Sequence, residues 1–248
     1  LAKLTNSTGI NISQFSVSKE SGLLAGFYID NSSVKISNGR LAGINGAGTA
    51  TAPFYIAGST NDITIDDVYA EGGDSWQIAV NEAGGDLVIN NSTFNKSLGR
   101  LLVGWAPQTI NLTIQNSKLL NSGYDNTGTV AMLEYASSGR TKIVGNDIGA
   151  IDSISKPTSL FYFTGTGQLI LSGNTIVGLG GGLEYSGSHT QPVTYLYANP
   201  GGKSYRSGAG SPAASVTPLF LGEMYFNSTD NTTFRSHGTT NADWKALN

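Results

Sequence analysis

Glu134 and Glu184 each occupy the middle of a short apolar segment, Leu133-Glu134-Tyr135 and Leu183-Glu184-Tyr185, with Phe161-Tyr162-Phe163 between them. Were these three segments equivalent strands one coil apart, period-two alternation would set Glu134, Tyr162 and Glu184 in one outward file. The two glutamates would then stand two strand spacings apart, about 9 to 10 Å at the backbone. Carboxyls at about 6.5–9.5 Å suit an inverting hydrolysis, in which one acid protonates a leaving oxygen while the other activates water. A retaining reaction needs about 5–5.5 Å and would call for neighbouring coils. The same two glutamates on a solvated face would do nothing, or would meet a neighbouring subunit.

Other residues extend the chemistry. The same alternation predicts Phe27/Ile29, Phe54/Ile56, Trp76/Ile78, Leu101/Val103, Leu133/Tyr135, Phe161/Phe163 and Leu183/Tyr185 inside. Tyr28, Tyr55, Gln77, Leu102, Glu134, Tyr162 and Glu184 then line the outside. Tyr28, Tyr55 and Tyr162 offer ring faces against which the C–H patches of a sugar stack. Glu71, Asp74, Glu82 and Asp86 fall within 16 residues of a weakly charged chain, and crowding of this kind raises a carboxyl pKa and makes a proton donor. Glu71 and Asp74 are therefore candidate substrate contacts, and Arg100 is a candidate for an acidic sugar. Asp62, Asp66 and Asp67 match no calcium loop; no metal and no cofactor is expected. The chain has no cysteine and two histidines, His189 and His237, both outside the clear repeats. Thiol chemistry is excluded, and elimination, which needs a base and a cation at a uronate, is disfavoured against hydrolysis.

The elements that must position these groups announce themselves as a repeat. A branched aliphatic residue, any residue, Ile or Leu and a small polar pair recur around Ile36, Ile65, Ile89, Ile114, Ile143 and Leu171, at intervals of 29, 24, 25, 29 and 28 residues. A weaker copy surrounds Ile12. A unit of this length that cannot bury its own apolar face implies stacked coils. Each repeat carries a second apolar segment rich in aromatic and β-branched residues, separated by Gly and Asn clusters, which is a strand signature. The fold expected is all-β: a right-handed parallel β-helix of about seven coils over residues 1–192, then a small β-rich capping and trimerisation segment over 193–248. Asn38, Asp67, Asn91 and Asn116 follow their markers by two, and Asn146 and Asn174 by three. Asn tolerates left-handed backbone angles and stacks its amides, so a turn ladder is expected there.

Composition agrees. Charged residues make up 12% of the 248, glycines number 33, and 39% of the chain is apolar. That profile suits many tight turns around a periodic core, and is neither helical nor disordered. A net charge of −3 gives no footprint for nucleic acid, and no stretch of eighteen apolar residues predicts membrane insertion. The opening Leu1-Ala2-Lys3-Leu4 reads as a cut through a longer protein.

The last 33 residues carry the most specific pattern: Val216-Thr217-Pro218-Leu219-Phe220-Leu221-Gly222, an aromatic strand through Phe226, Gly238-Thr239-Thr240, and Ala242-Asp243-Trp244. This resembles the terminal segment of bacteriophage tailspikes, capsule depolymerases of phages infecting encapsulated Gram-negative bacteria such as Acinetobacter. The resemblance implies a homotrimeric spike on the virion tail that acts at the bacterial surface, binding capsular or O-antigen polysaccharide and cleaving it. It also implies that Phe220, Tyr225 and Trp244 are buried at the cap or on the threefold axis. Such spikes share no catalytic motif, so no catalytic residue is carried over by position. A non-enzymatic receptor-binding or trimerisation module, a polysaccharide lyase and an autotransporter-type adhesin are the other readings.

Overall fold

The protein is described by a computed structural model covering residues 2–18, 25–43, 52–73, 75–122, 131–150, 152, 157, 159–178, 183–186, 193–194, 205–218 and 221–247. Nearly all of it is strand. A first wall of eight parallel strands stacks Ala2–Thr5, Ala25–Asp30, Ala52–Ala57, Trp76–Asn81, Arg100–Gln108, Ala131–Ser137, Ser159–Gly165 and Leu183–Ser186 in chain order. A second, thirteen-stranded sheet bends into two arms. Ser33–Ala42 and Asn61–Glu71 run through both arms, whereas later coils split in two, as Gly85–Asn90 followed by Thr93–Asn95. Each strand therefore pairs with the strand one repeat away, which makes this a parallel β-solenoid with a coil count close to the seven expected.

The repeat markers explain the core. Ile36, Ile65, Ile89, Ile114, Ile143 and Leu171 are all fully buried, and the apolar residues of the far arm, Phe94, Leu119, Ile148 and Ile176, join them in one continuous cluster. Burial of this kind stabilises by about 1.5–3 kcal/mol per large side chain, and a column of them binds coil to coil.

The bend between the arms is the ladder that the Asn pattern predicts. Asn38, Asp67, Asn91 and Asn116 all have φ between 49° and 53°, the left-handed region. In the next two coils Gly145 and Gly173 take that angle, at 66° and 64°, and the asparagine moves inward by one place. Asn146 and Asn174 are buried there. Asn146 Nδ2 donates to Ile114 O and to Asn174 Oδ1, and its Oδ1 accepts from Ser117 N at 2.9 Å. Ser117 and Ser92 do the same work with hydroxyls, accepting from Ser92 N and Val68 N at 3.1 and 3.2 Å. From Ser92 onward each coil thus satisfies buried backbone of the coil before it at this turn.

Strict alternation fails in the first wall. Leu102 pairs with Ile78 and Leu133, and Val103 with Ala79 and Glu134. Leu101 and Leu102, Met132 and Leu133, and Leu160 and Phe161 are successive residues that all join the core. The strand turns its backbone once at this level, so two neighbours point inward. Leu102 is therefore in the main core rather than outside, and Val103, also fully buried, packs instead with Ala52 and Ala79. Gln77 is fully buried, its Nε2 donating to the carbonyls of Gly72 and Asn95. Trp76 is half-buried and packs with Ala52, Ala79 and Val103 in a cluster separate from the main core.

Val193–Thr194 pairs with Leu169–Ser172, so the solenoid reaches slightly past the boundary expected at 192. Beyond it, Tyr205–Gly208, Met224–Asn227, Thr232–Ser236 and Trp244–Leu247 form a separate four-stranded sheet. Tyr225 and Trp244 are buried 5.8 Å apart, and Trp244 Nε1 donates to Val216 O at 2.6 Å. Thr240 N and Oγ1 both donate to Asp243 Oδ2 at 2.7 Å, which closes the turn before Trp244 and holds the Asp243 carboxyl below its ordinary pKa. The Val-Thr-Pro and Ala-Asp-Trp motifs are thus two sides of one small packing unit. Phe220 lies outside the described residues.

Candidate functional site

Register places Lys3, Tyr28, Tyr55, Ala79, Val103, Glu134, Tyr162 and Ser186 in one file of the first wall. Ala79 and Val103 are fully buried in the small cluster with Ala52, whereas Tyr28, Tyr55, Glu134 and Tyr162 keep partial exposure. Tyr28 and Tyr55 stack with ring centroids 5.4 Å apart and planes 8° from parallel, and Lys3 Nζ stands 5.5 Å from the Tyr28 centroid. Partial burial, then the neighbouring Tyr28, raises the Tyr55 hydroxyl above its ordinary pKa. A cation followed by two stacked phenols one coil apart makes a ladder whose repeat is the strand spacing, about 4.8 Å.

Glu134 lies farther up the same file and is already engaged. Arg100 Nε approaches Glu134 Oε2 at 2.6 Å, both side chains about three-quarters covered. The nitrogen finds no aligned acceptor, so the contact is a close ion pair rather than a linear hydrogen bond. Tyr162, opposite Glu134 in register, is 37% exposed. Glu134 and Tyr162 are therefore neighbours in one file as expected, whereas Arg100, expected as a lone cation for an acidic sugar, pairs with the Glu134 carboxylate.

Glu184 is not in that file. Ser159 pairs with Leu183, Phe161 with Tyr185 and Tyr162 with Ser186, which sets Glu184 level with Leu160, a core residue. The expected step from Tyr162 to Glu184 is thus corrected to Tyr162 and Ser186, two residues along the strand. The sequence pattern missed this because Leu183-Glu184-Tyr185 mimics Leu133-Glu134-Tyr135 while pairing two residues away from the matching register.

The four-carboxylate group is also divided. Glu82 and Asp86 follow the strand Trp76–Asn81, whereas Glu71 precedes it, and six strand residues span roughly 20 Å. Asp86 pairs with Asp62 in register and accepts from Asn111 Nδ2 at 3.1 Å. Asp66 accepts from Asn90 Nδ2 and Asn91 Nδ2 at 3.0 and 3.2 Å, so it belongs to the turn ladder. Among the described residues no three His, Cys, Asp or Glu side chains converge as a metal site. Asp74 lies outside the described residues.

Glu71 has company that the sequence did not suggest. Tyr69 Oη donates to Glu71 Oε2 at 2.6 Å, Lys96 Nζ stands 3.1 Å from Oε1, and an Arg40 nitrogen 3.8 Å from Oε2. The Arg40 guanidinium lies 4.4 Å from the Tyr69 ring centroid. The Tyr69 hydrogen bond, helped by Lys96 and Arg40, holds the Glu71 carboxyl below the usual glutamate range; burial and the adjacent carboxylate raise the Tyr69 hydroxyl. Arg40 and Tyr69 pair directly in register, and Ala42 with Glu71 and Glu71 with Asn95. Partners one repeat away from Glu71 were the signal that would have found Arg40 and Lys96.

Comparison of the chain with family models, curated proteins and solved structures gives no match. The coordinates themselves define a parallel β-solenoid with a separate C-terminal sheet, and among the described residues no helix is long and apolar enough to cross a membrane.

Proposed function

We propose that the chain is the shaft and C-terminal cap of a phage tail spike, acting from the virion at the bacterial surface, and that the outer face of its first wall binds a surface polysaccharide, capsule or O-antigen. The observation that carries this reading is the ladder of Lys3, Tyr28 and Tyr55. The two stacked phenols present ring edges and hydroxyls outward at a regular rise, which matches the evenly spaced hydroxyls of a polymer of sugar rings. Beyond the fully buried Ala79 and Val103, Arg100, Glu134 and Tyr162 add further polar groups on the same wall. The terminal Val-Thr-Pro and Ala-Asp-Trp motifs support the spike context by resemblance, and the homotrimer comes with it.

Binding is the part of the reading that the geometry favours. Within one chain the two glutamates do not share a file, and Glu134 is paired with Arg100. Hydrolysis would therefore need a second carboxylate other than Glu184. Incubation with purified capsular polysaccharides of encapsulated Gram-negative bacteria, following both retention and release of reducing ends, tests the reading. Retention without release supports a binding module. Release that disappears in Glu134→Gln would restore hydrolysis, and no retention of any capsule or O-antigen would remove the glycan reading.

A further inference from the structure

One corner of the solenoid, where the far arm of the second sheet passes into the first wall, differs from coil to coil. After Ser33–Ala42 the connection is nine residues long (43–51), and after Lys118–Leu120 it is ten (121–130). Between them, two coils cross in four residues each (72–75 and 96–99). Glu71 ends the strand before the first short crossing and Lys96 opens the second, and Arg40 and Tyr69, paired in register, stand beside them. The crossings lead directly into Trp76 and Arg100, which pair in register at the edge of the tyrosine-bearing wall.

We propose that this short-turn corner is an anion subsite that takes the carboxylate of an acidic sugar residue in the bound polysaccharide. The inference rests on the glycan reading and names the class of glycan. Two cations converge on a single internal carboxylate. Tyr69 hydrogen-bonds that carboxylate and keeps it in place. Arg40 is 53% exposed and meets Glu71 only at 3.8 Å, while stacking on Tyr69 fixes the plane of its guanidinium. A planar, pre-oriented guanidinium edge facing solvent is the group that binds a carboxylate in bidentate fashion. Lys96, 38% exposed on the far side of Glu71, adds a second positive charge. Exposed ion pairs contribute only about 0–1 kcal/mol to stability, so the fold does not require this cluster. A chain with 12% charged residues has nonetheless brought three of them together beside its shortest crossings.

The test is calorimetric titration of the full chain with a galacturonic acid tetramer and with the neutral galactose tetramer, at low salt. The acidic tetramer binds about tenfold more tightly, as one charge-assisted contact provides. Arg40→Ala/Lys96→Ala erases that preference and leaves neutral binding unchanged. Glu71→Gln, which still accepts from Tyr69, tightens acidic binding by removing a repulsive charge. Equal affinities for the two tetramers, no binding of the acidic one, or a preference that survives in the double variant overturns the subsite. Failure of the underlying wall reading looks different: Tyr28→Ala/Tyr55→Ala would leave neutral binding intact while the Arg40-dependent acidic preference persists.

Discussion

Each coil of this solenoid has two kinds of turn, one between the arms of its second sheet and one at the end of the far arm, and they obey different rules. The bend between the arms is nearly constant: one left-handed residue, followed from Asn91 onward by a buried Ser or Asn that serves the preceding coil. The crossing into the first wall ranges from four to ten residues, and an ion-pair cluster stands beside the two shortest. The constant turn is held by buried backbone donors that must be satisfied, which leaves no freedom of length. Beside the shortest crossings Arg40 and Lys96 are exposed to solvent, where residue type is free to serve binding.

The contrast breaks most visibly at the constant turn. Asn146→Ala removes a fully buried amide that serves Ile114, Ser117 and Asn174. It should cost about 3 kcal/mol, since several buried groups lose partners together; urea unfolding measures it. Gly173 holds φ 64° with open space around its missing Cβ. Gly173→Val there should cost about 1–2 kcal/mol from left-handed strain, whereas Gly173→Asn, the residue type used at Asn91 and Asn116, should fall within about 0.5 kcal/mol of wild type. At the variable crossing, Arg40→Ala/Lys96→Ala should move the urea midpoint by no more than about 1 kcal/mol. A double variant as destabilised as Asn146→Ala would end the distinction between the two turns.

The smallest effect is pH-dependent. The folded state holds the Glu71 carboxyl below its ordinary value, chiefly through Tyr69. Its contribution is therefore present above the ordinary glutamate pKa and is lost as pH falls through the lower folded value. The stability difference between wild type and Glu71→Gln should shrink on acidification below about pH 4. A difference that grows on acidification would contradict the assignment of Tyr69 as donor.

Much of this architecture was legible in the residues. The spacing of Ile36 through Leu171 marked the coils, and Asn38, Asp67, Asn91 and Asn116 marked the bend, because both depend on local pattern. The parity of the first wall was not legible. Leu101-Leu102-Val103 is apolar at three successive places, so alternation has no polar residue to choose a face, and the inward doublet broke the count at Trp76, Leu102 and Glu184. The Arg40–Tyr69–Glu71–Lys96 corner was half legible: Glu71 stood out as a charge, but its partners lie one coil away in each direction. Register, rather than sequence proximity, brings them together.

The central claim is that the outer tyrosine ladder holds a polysaccharide chain. Its most direct test is the binding isotherm of wild type and Tyr28→Ala/Tyr55→Ala on the capsular polysaccharide that wild type retains, with unfolding recorded on the same samples. The account predicts a loss of affinity of about tenfold or more, from removing two phenol side chains and their hydroxyl contacts, with a cooperative unfolding transition preserved. Unchanged affinity in a folded double variant would contradict it.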